Sequence, residues 1–117
     1  MDIEKILDAI AAATGGVLRI PDKYLHHLNS EYRTHWRASD MLSDYKAREI
    51  GRLYLSHYCR PSVVGRMPTE EDAVRIWFGG PLGWVRDWTV SHWLRVRPYL
   101  SCPPVAGNET TTNTTNQ

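Results

Sequence analysis

His57 and Cys59 stand two residues apart near a helix end, and a thiol beside an imidazole is a minimal arrangement for nucleophilic chemistry. That chemistry needs the base held against the nucleophile, and spacing alone does not provide this. A half-buried thiol, or a disulfide to Cys102, is the simpler reading. His26, His27 and His35 offer imidazole nitrogens, but adjacent histidines on a helix point to different faces and make a poor metal shell. No metal and no cofactor are expected. Arg86, Arg95 and Arg97 gather late in the chain, where a solvated helix face is the default and an anionic-ligand groove the alternative. The densest signal runs Pro68-Thr69-Glu70-Glu71-Asp72-Ala73-Val74-Arg75-Ile76-Trp77-Phe78-Gly79-Gly80-Pro81-Leu82-Gly83-Trp84. It reads as a capped helix entering a Gly-Gly-Pro-x-Gly turn. Three glycines and a proline in five positions demand a defined non-helical backbone.

The elements that must position these residues follow from hydrophobic spacing. Asp2 caps a helix whose face carries Ile3, Ile6, Leu7, Ile10 and Ala13, and Gly15-Gly16 ends it. Val17 to Ile20 is short and extended ahead of Pro21. A second helix starts near Asp22 with Tyr24, Leu25 and Leu28, and 29–40 is irregular, anchored by Trp36. From Ser43 a third helix aligns Ala47, Ile50, Leu53, Tyr54 and Tyr58. Gly51 costs that helix about 1 kcal/mol against alanine unless another element packs close there. Residues 61–67 read as a loop. Thr69 with Asp72 forms a capping box for the helix that carries Ala73, Val74, Ile76 and Trp77. Thr89 caps the last helix, with Val90, Trp93, Leu94 and Val96, which ends before Pro98. The expected fold is all-α, a compact bundle of four or five short helices over residues 1–100, with 101–117 a disordered Thr/Asn-rich tail. Chance accounts for the tail's sequons, Asn108-Glu109-Thr110 and Asn113-Thr114-Thr115.

Composition narrows the function classes. With 14 basic and 13 acidic side chains in 117 residues the net charge is +1, which gives no basic field for nucleic acid. The apolar runs are far short of a membrane span, and Met1-Asp2-Ile3-Glu4 shows no basic start of a signal peptide. Five Trp and six Tyr against one Phe favour side chains that serve cores and ligand walls alike. A monomer is expected.

Over residues 44–100 the chain resembles the invertebrate-type (destabilase) lysozymes and their bacterial relatives. The resemblance rests on Tyr54-Leu55-Ser56-His57-Tyr58, then Pro68-Thr69-Glu70-Glu71-Asp72, Arg75-Ile76, Gly79-Gly80-Pro81 with Gly83, and Thr89-Val90-Ser91-His92-Trp93-Leu94-Arg95-Val96. Upstream, Ile6-Leu7-Asp8-Ala9-Ile10 is similar to the opening helix of the bacterial members, and Gly16-Val17-Leu18-Arg19-Ile20 with Tyr24 to their Gly-x-Tyr-Gln-Ile segment and its aromatic. Between those landmarks the family keeps its catalytic glutamate and a small β-hairpin region bearing a second carboxylate. Here the landmarks adjoin, helix 1 ends Ala13-Thr14-Gly15, and between Ala9 and Lys23 the one acid is Asp22. Arg19 stands where the family has Gln, and Trp77-Phe78 where it has His-Asn.

The resemblance implies a peptidoglycan β-1,4-glycosidase relative with its hairpin reduced or absent, catalytically impaired and at most binding a peptidoglycan or chitin-type glycan. Tyr24, Trp77, Gly79, Gly80 and Trp84 are then the expected binding residues, with extracellular or cell-wall action if the role is kept. Glycoside hydrolysis needs a protonated acid and a second carboxylate, and the Thr14 hydroxyl is too weak an acid to replace the first. Asp22, Glu31, Asp40 and Asp44 remain; Asp44 suits helix capping, and Glu31 and Asp22 are the substitutes to test. Two other readings stand beside this one: an active muramidase with a remodelled carboxylate pair, and a helical protein-interaction module presenting tryptophans.

Overall fold

A computed structural model of the chain describes residues 1–101, and every regular element within them is helical. Helix α1 (Ile3–Ala13) begins where the Asp2 carboxylate accepts the Lys5 N–H at 3.1 Å, and it buries Ile6, Leu7 and Ile10. It closes at the expected glycines, with the Gly16 N–H returning to the Ala11 carbonyl at 2.7 Å. Residues 17–20 are irregular, and from them Leu18 and Ile20 are buried in the core.

Helix α2 (Asp22–Tyr32) runs four residues past Leu28 and is closed by Arg33 in the left-handed conformation, φ 55°. Asn29 then pins the following segment. Its carbonyl oxygen accepts from the Thr34 hydroxyl (2.7 Å) and the Trp36 N–H (2.9 Å), and its amide donates to the Trp36 carbonyl (2.8 Å). A 3-10 turn (Ala38–Leu42) follows and buries Met41, a second anchor beside Trp36.

Helix α3 (Asp44–Tyr58) is capped by the Ser43 hydroxyl, not by Asp44, which is the first helical residue and meets the positive end of the helix dipole. Residues 61–67, expected as a loop, contain the one-turn helix α4 (Pro61–Val64), which starts on Pro61 and buries Val64. This turn is why the described residues hold six α-helices against the four or five expected.

Helix α5 (Glu70–Gly79) carries the predicted capping box: the Thr69 hydroxyl accepts from the Asp72 N–H, and the Asp72 carboxylate accepts from the Thr69 N–H at 2.8 Å. Arg66 adds a two-pronged ion pair to the same carboxylate at 2.6 and 3.1 Å.

Two 3-10 turns (Gly83–Val85 and Asp87–Thr89) lead into α6 (Val90–Ser101). Thr89 was expected as the cap of α6. It does stand directly before Val90, but it is fully buried and its hydroxyl joins the preceding turns to Arg75 of α5. The last helix also passes through Pro98 where a stop was expected. Pro98 and Leu94, four residues earlier, both lie on the exposed side of α6, so the carbonyl that loses its partner is on a face open to water. Burial of Val96 and Leu100 holds the helix on both sides of the proline.

Helix α5 lies at the centre, packed against α1, α3 and α6, while α6 runs beside α1 and α2 leans on α3. Gly51 of α3 marks the tightest point. A methyl there would come 3.0 Å from Leu7 of α1 and 3.3 Å from the Trp77 ring of α5, which is the close packing that repays its low helix propensity. Arg48 and Arg52 of α3 pair with Glu4 of α1, and Arg48 also with Asp8, across the α1–α3 seam. Among the described residues no helix is long and apolar enough to cross a membrane. Cys102, the two sequons and the tail beyond Ser101 lie outside the described residues.

Candidate functional site

The chain leaves α5 through Gly80, at φ +82° and ψ −168°, a backbone region essentially reserved for glycine. A methyl at Gly80 would fall 2.2 Å from the Tyr24 hydroxyl oxygen, so α2 and the turn touch there. Gly79 differs: its backbone is ordinary, but a methyl there would meet the Thr89 methyl at 2.6 Å. Tyr24 stands edge-on to Tyr54 and Tyr58, with ring centroids 5.8 and 5.6 Å away. Tyr54 is fully buried, donates its hydroxyl to the Ile76 carbonyl at 2.8 Å, and meets the Trp77 ring edge-on at 5.5 Å. Burial pushes the Tyr54 phenol far above its ordinary value, so it remains a proton donor to α5.

A groove of about 370 Å³ opens where α1 ends against the end of α5. Thr14 closes one end, Val17, Arg19, Ile20 and Pro21 form one wall, and Trp77 with Phe78 forms the other. The Thr14 hydroxyl is committed locally, within 2.8 Å of the Ile10 carbonyl and 2.7 Å of the Val17 carbonyl. None of the described residues lining this groove carries a carboxylate. Behind Phe78 the aromatic wall continues outward. His92 stacks on Phe78 at 4.2 Å, Trp88 stands edge-on to His92 at 5.8 Å, and Arg95 lies 5.6 Å from the Phe78 ring.

Of the five binding residues expected from the sequence, Trp77 alone lines this groove, and at 4 % exposure it offers an edge while its body fills the core. Tyr24, Gly79 and Gly80 build the turn behind the wall. Trp84 sits apart near Arg66, whose guanidinium lies 5.7 Å from its ring, and its indole N–H finds no partner among the described residues. Phe78 and Arg19 take its place at the groove. Their signal in the sequence was an apolar ring just before the Gly-Gly-Pro turn and a lone arginine in the short segment ahead of Pro21.

Asp22 and Glu31 are both exposed on α2. Nine residues apart, they fall about 180° around the helix and about 13 Å along it. They therefore do not face one another across a groove. Cys59 is half-buried, and burial pushes its thiol up to about 11, which disfavours the thiolate that nucleophilic chemistry needs. Among the described residues no three His, Cys, Asp or Glu side chains converge to hold a metal ion.

His27 and His57, read singly in the sequence, come together. Their rings are 5.4 Å apart, and His57 Nδ1 is 3.2 Å from the Tyr32 hydroxyl. Burial holds the His57 imidazole below its ordinary 6.5, with the Arg60 and His27 charges adding to the shift and Glu31 opposing it. A base whose folded value is depressed takes up its proton more readily unfolded, so stability is complete above 6.5 and declines as pH falls below it. Urea midpoints are expected to fall from pH 7 to pH 5, with a shallower slope in His57→Gln. An unchanged slope in the variant would refute this assignment. His92, lowered by burial and by Arg95, contributes a slope of the same sign.

Comparison with models of protein families, with curated proteins and with solved structures finds no match to this chain.

Proposed function

We propose that the chain is a lysozyme-like glycan-binding protein that holds a β-1,4-linked saccharide of peptidoglycan or chitin type without cleaving it. The observation that carries this reading is the groove between α1 and α5, lined by the Phe78 ring and the edge of Trp77 and lacking a carboxylate among its described lining residues. Aromatic walls suit the apolar faces of sugar rings. Hydrolysis requires a sheltered acid with a second carboxylate about 5–9 Å away. The Thr14 hydroxyl, bonded to backbone, supplies neither. The ordered motifs at 44–100 add support, since they build the turn that presents Phe78.

The test is a titration of intrinsic tryptophan fluorescence with chitin tetramer and with murein fragments, alongside turbidity of purified peptidoglycan. A saturable shift with constant turbidity is the expected result, and Phe78→Ala is expected to weaken binding about tenfold, as for loss of one contacting ring. Clearing of the peptidoglycan that is abolished by Glu31→Gln or Asp22→Asn overturns the non-catalytic reading in favour of a remodelled muramidase. Absence of both shift and clearing favours protein docking, for which exposed apolar side chains such as Leu82, Val85 and Trp88 are available.

A further inference from the structure

Arg19 is the one charged group among the described residues that line the α1–α5 groove. Its side chain is exposed, and it makes no ion pair or hydrogen bond with any described residue. Segment 17–20 separates this groove from a second hollow of about 490 Å³, and Arg19 and Val17 border both. In that second hollow the other cation, Arg48, is already matched by Glu4 and Asp8, while Asp44 supplies the one acid. The charges are thus unevenly placed. The hollow nearer α3 carries an acid, Asp44, beside its cations, whereas the groove against Phe78 has Arg19 as its single charge, without an ion-pair contact to any described residue, among apolar and hydroxyl-bearing lining residues. Arg95, close to Phe78 on the outer side, extends the positive character along that lip.

An unpaired guanidinium at the edge of an apolar groove offers a planar, two-pronged donor set to an anionic oxygen. The apolar wall opposite lowers the local polarity and strengthens that pairing relative to open water. We propose that the saccharide taken by this groove is an acidic one, and that Arg19 selects it by pairing with a carboxylate or sulfate on the sugar. This rests on the glycan-binding reading and narrows it from glycans in general to negatively charged ones. Phe78 supplies the ring contact common to all sugars, and Arg19 supplies the discrimination.

The test uses the full chain and three oligosaccharides of equal length: neutral chitin tetramer, a uronate-bearing tetramer and its sulfate-bearing counterpart. Titration calorimetry at low and at physiological ionic strength gives the affinities. At low ionic strength at least one acidic tetramer is expected to bind about tenfold more tightly than the neutral one, the scale of one charge-assisted hydrogen bond. The preference shrinks as salt rises. Whichever of the two acidic ligands binds more tightly identifies the group that Arg19 reads. Arg19→Gln, an exposed change, is expected to abolish the preference, bringing the acidic tetramers to the affinity that the same variant shows for the neutral one. Equal binding of neutral and acidic tetramers by the unaltered protein, or a preference that survives Arg19→Gln, overturns the selection by Arg19 and leaves glycan binding standing. Failure of all three tetramers to bind overturns the glycan-binding reading itself, and this inference with it.

Discussion

Gly80→Val is expected to lower the unfolding free energy by about 4 kcal/mol, which for a chain of this size is a large share of typical stability. Two separate terms add. The backbone at φ +82° and ψ −168° lies where a residue with a Cβ is strained by about 1–3 kcal/mol. The new side chain must also displace Tyr24, whose hydroxyl oxygen lies 2.2 Å from the methyl position and whose ring carbon lies 2.8 Å away. Overpacking of that kind costs about 1–3 kcal/mol. Tyr24 is braced by Tyr54 and Tyr58, so it yields only by disturbing rings that are themselves buried.

Urea denaturation of both proteins measures the total, and the double variant with Tyr24→Ala separates the terms. Relief of the clash should make the pair less costly than the two single changes added together. Strict additivity would show that Tyr24 does not restrain the turn. Gly79→Val is the informative contrast, because its backbone is ordinary and its cost comes from packing, first against the Thr89 methyl at 2.6 Å, with the Trp88 ring 3.6 Å away.

The contrast between neighbouring glycines shows where sequence reasoning reached and where it stopped. The caps of α1 and α5 were legible because each is decided within four residues: Asp2 meets the Lys5 N–H, and Thr69 and Asp72 meet each other. The helix faces were legible because periodicity reports burial directly, as Ile6, Leu7 and Ile10 illustrate. What was not legible depended on partners distant in sequence. The turn 79–83 announced a defined backbone, but which glycine needed its conformation and which needed its space depends on Tyr24 and Thr89. Pro98 was read by the local rule that ends helices, and burial of Leu100 two residues later prevails over that rule. The groove followed the same pattern. Trp77 looked like a ligand wall by its position, yet its packing on Tyr54 and against Gly51 takes most of the ring, and Phe78 forms the lip instead. Glu31 and Asp22 were acids in the right half of the chain, and nine residues of helix put them on opposite sides of α2.

Thr89→Val removes one oxygen and keeps the shape, and it is expected to cost about 3 kcal/mol, more than its size suggests. The Thr89 hydroxyl accepts from Arg75 Nε at 2.8 Å and lies 2.6 Å from the Gly83 carbonyl and 2.7 Å from the Arg86 carbonyl, which share its proton. Arg75 completes the knot by donating to Glu71 at 2.8 Å and to the Arg86 carbonyl at 3.0 Å. Its side chain is 14 % exposed, so the Nε proton freed by valine has little access to water. The charged Nε donor is then left unmatched, at about 3 kcal/mol because the group carries charge, while the Gly83 carbonyl keeps the Arg86 N–H at 3.2 Å. Gly83 cannot move away to compensate, because its backbone is pressed on α5: a methyl there would stand 2.0 Å from the Arg75 carbonyl oxygen. Thr89→Ser keeps the hydroxyl and removes the methyl packed at Gly79, so it is expected to cost about 1 kcal/mol. Denaturation curves of the two variants decide the matter. Equal losses for serine and valine would mean that packing at Gly79, and not the hydroxyl, joins the turn to α5. The larger loss for valine would place the bond between the turn and α5 in a single oxygen atom that a local reading assigns to the start of α6.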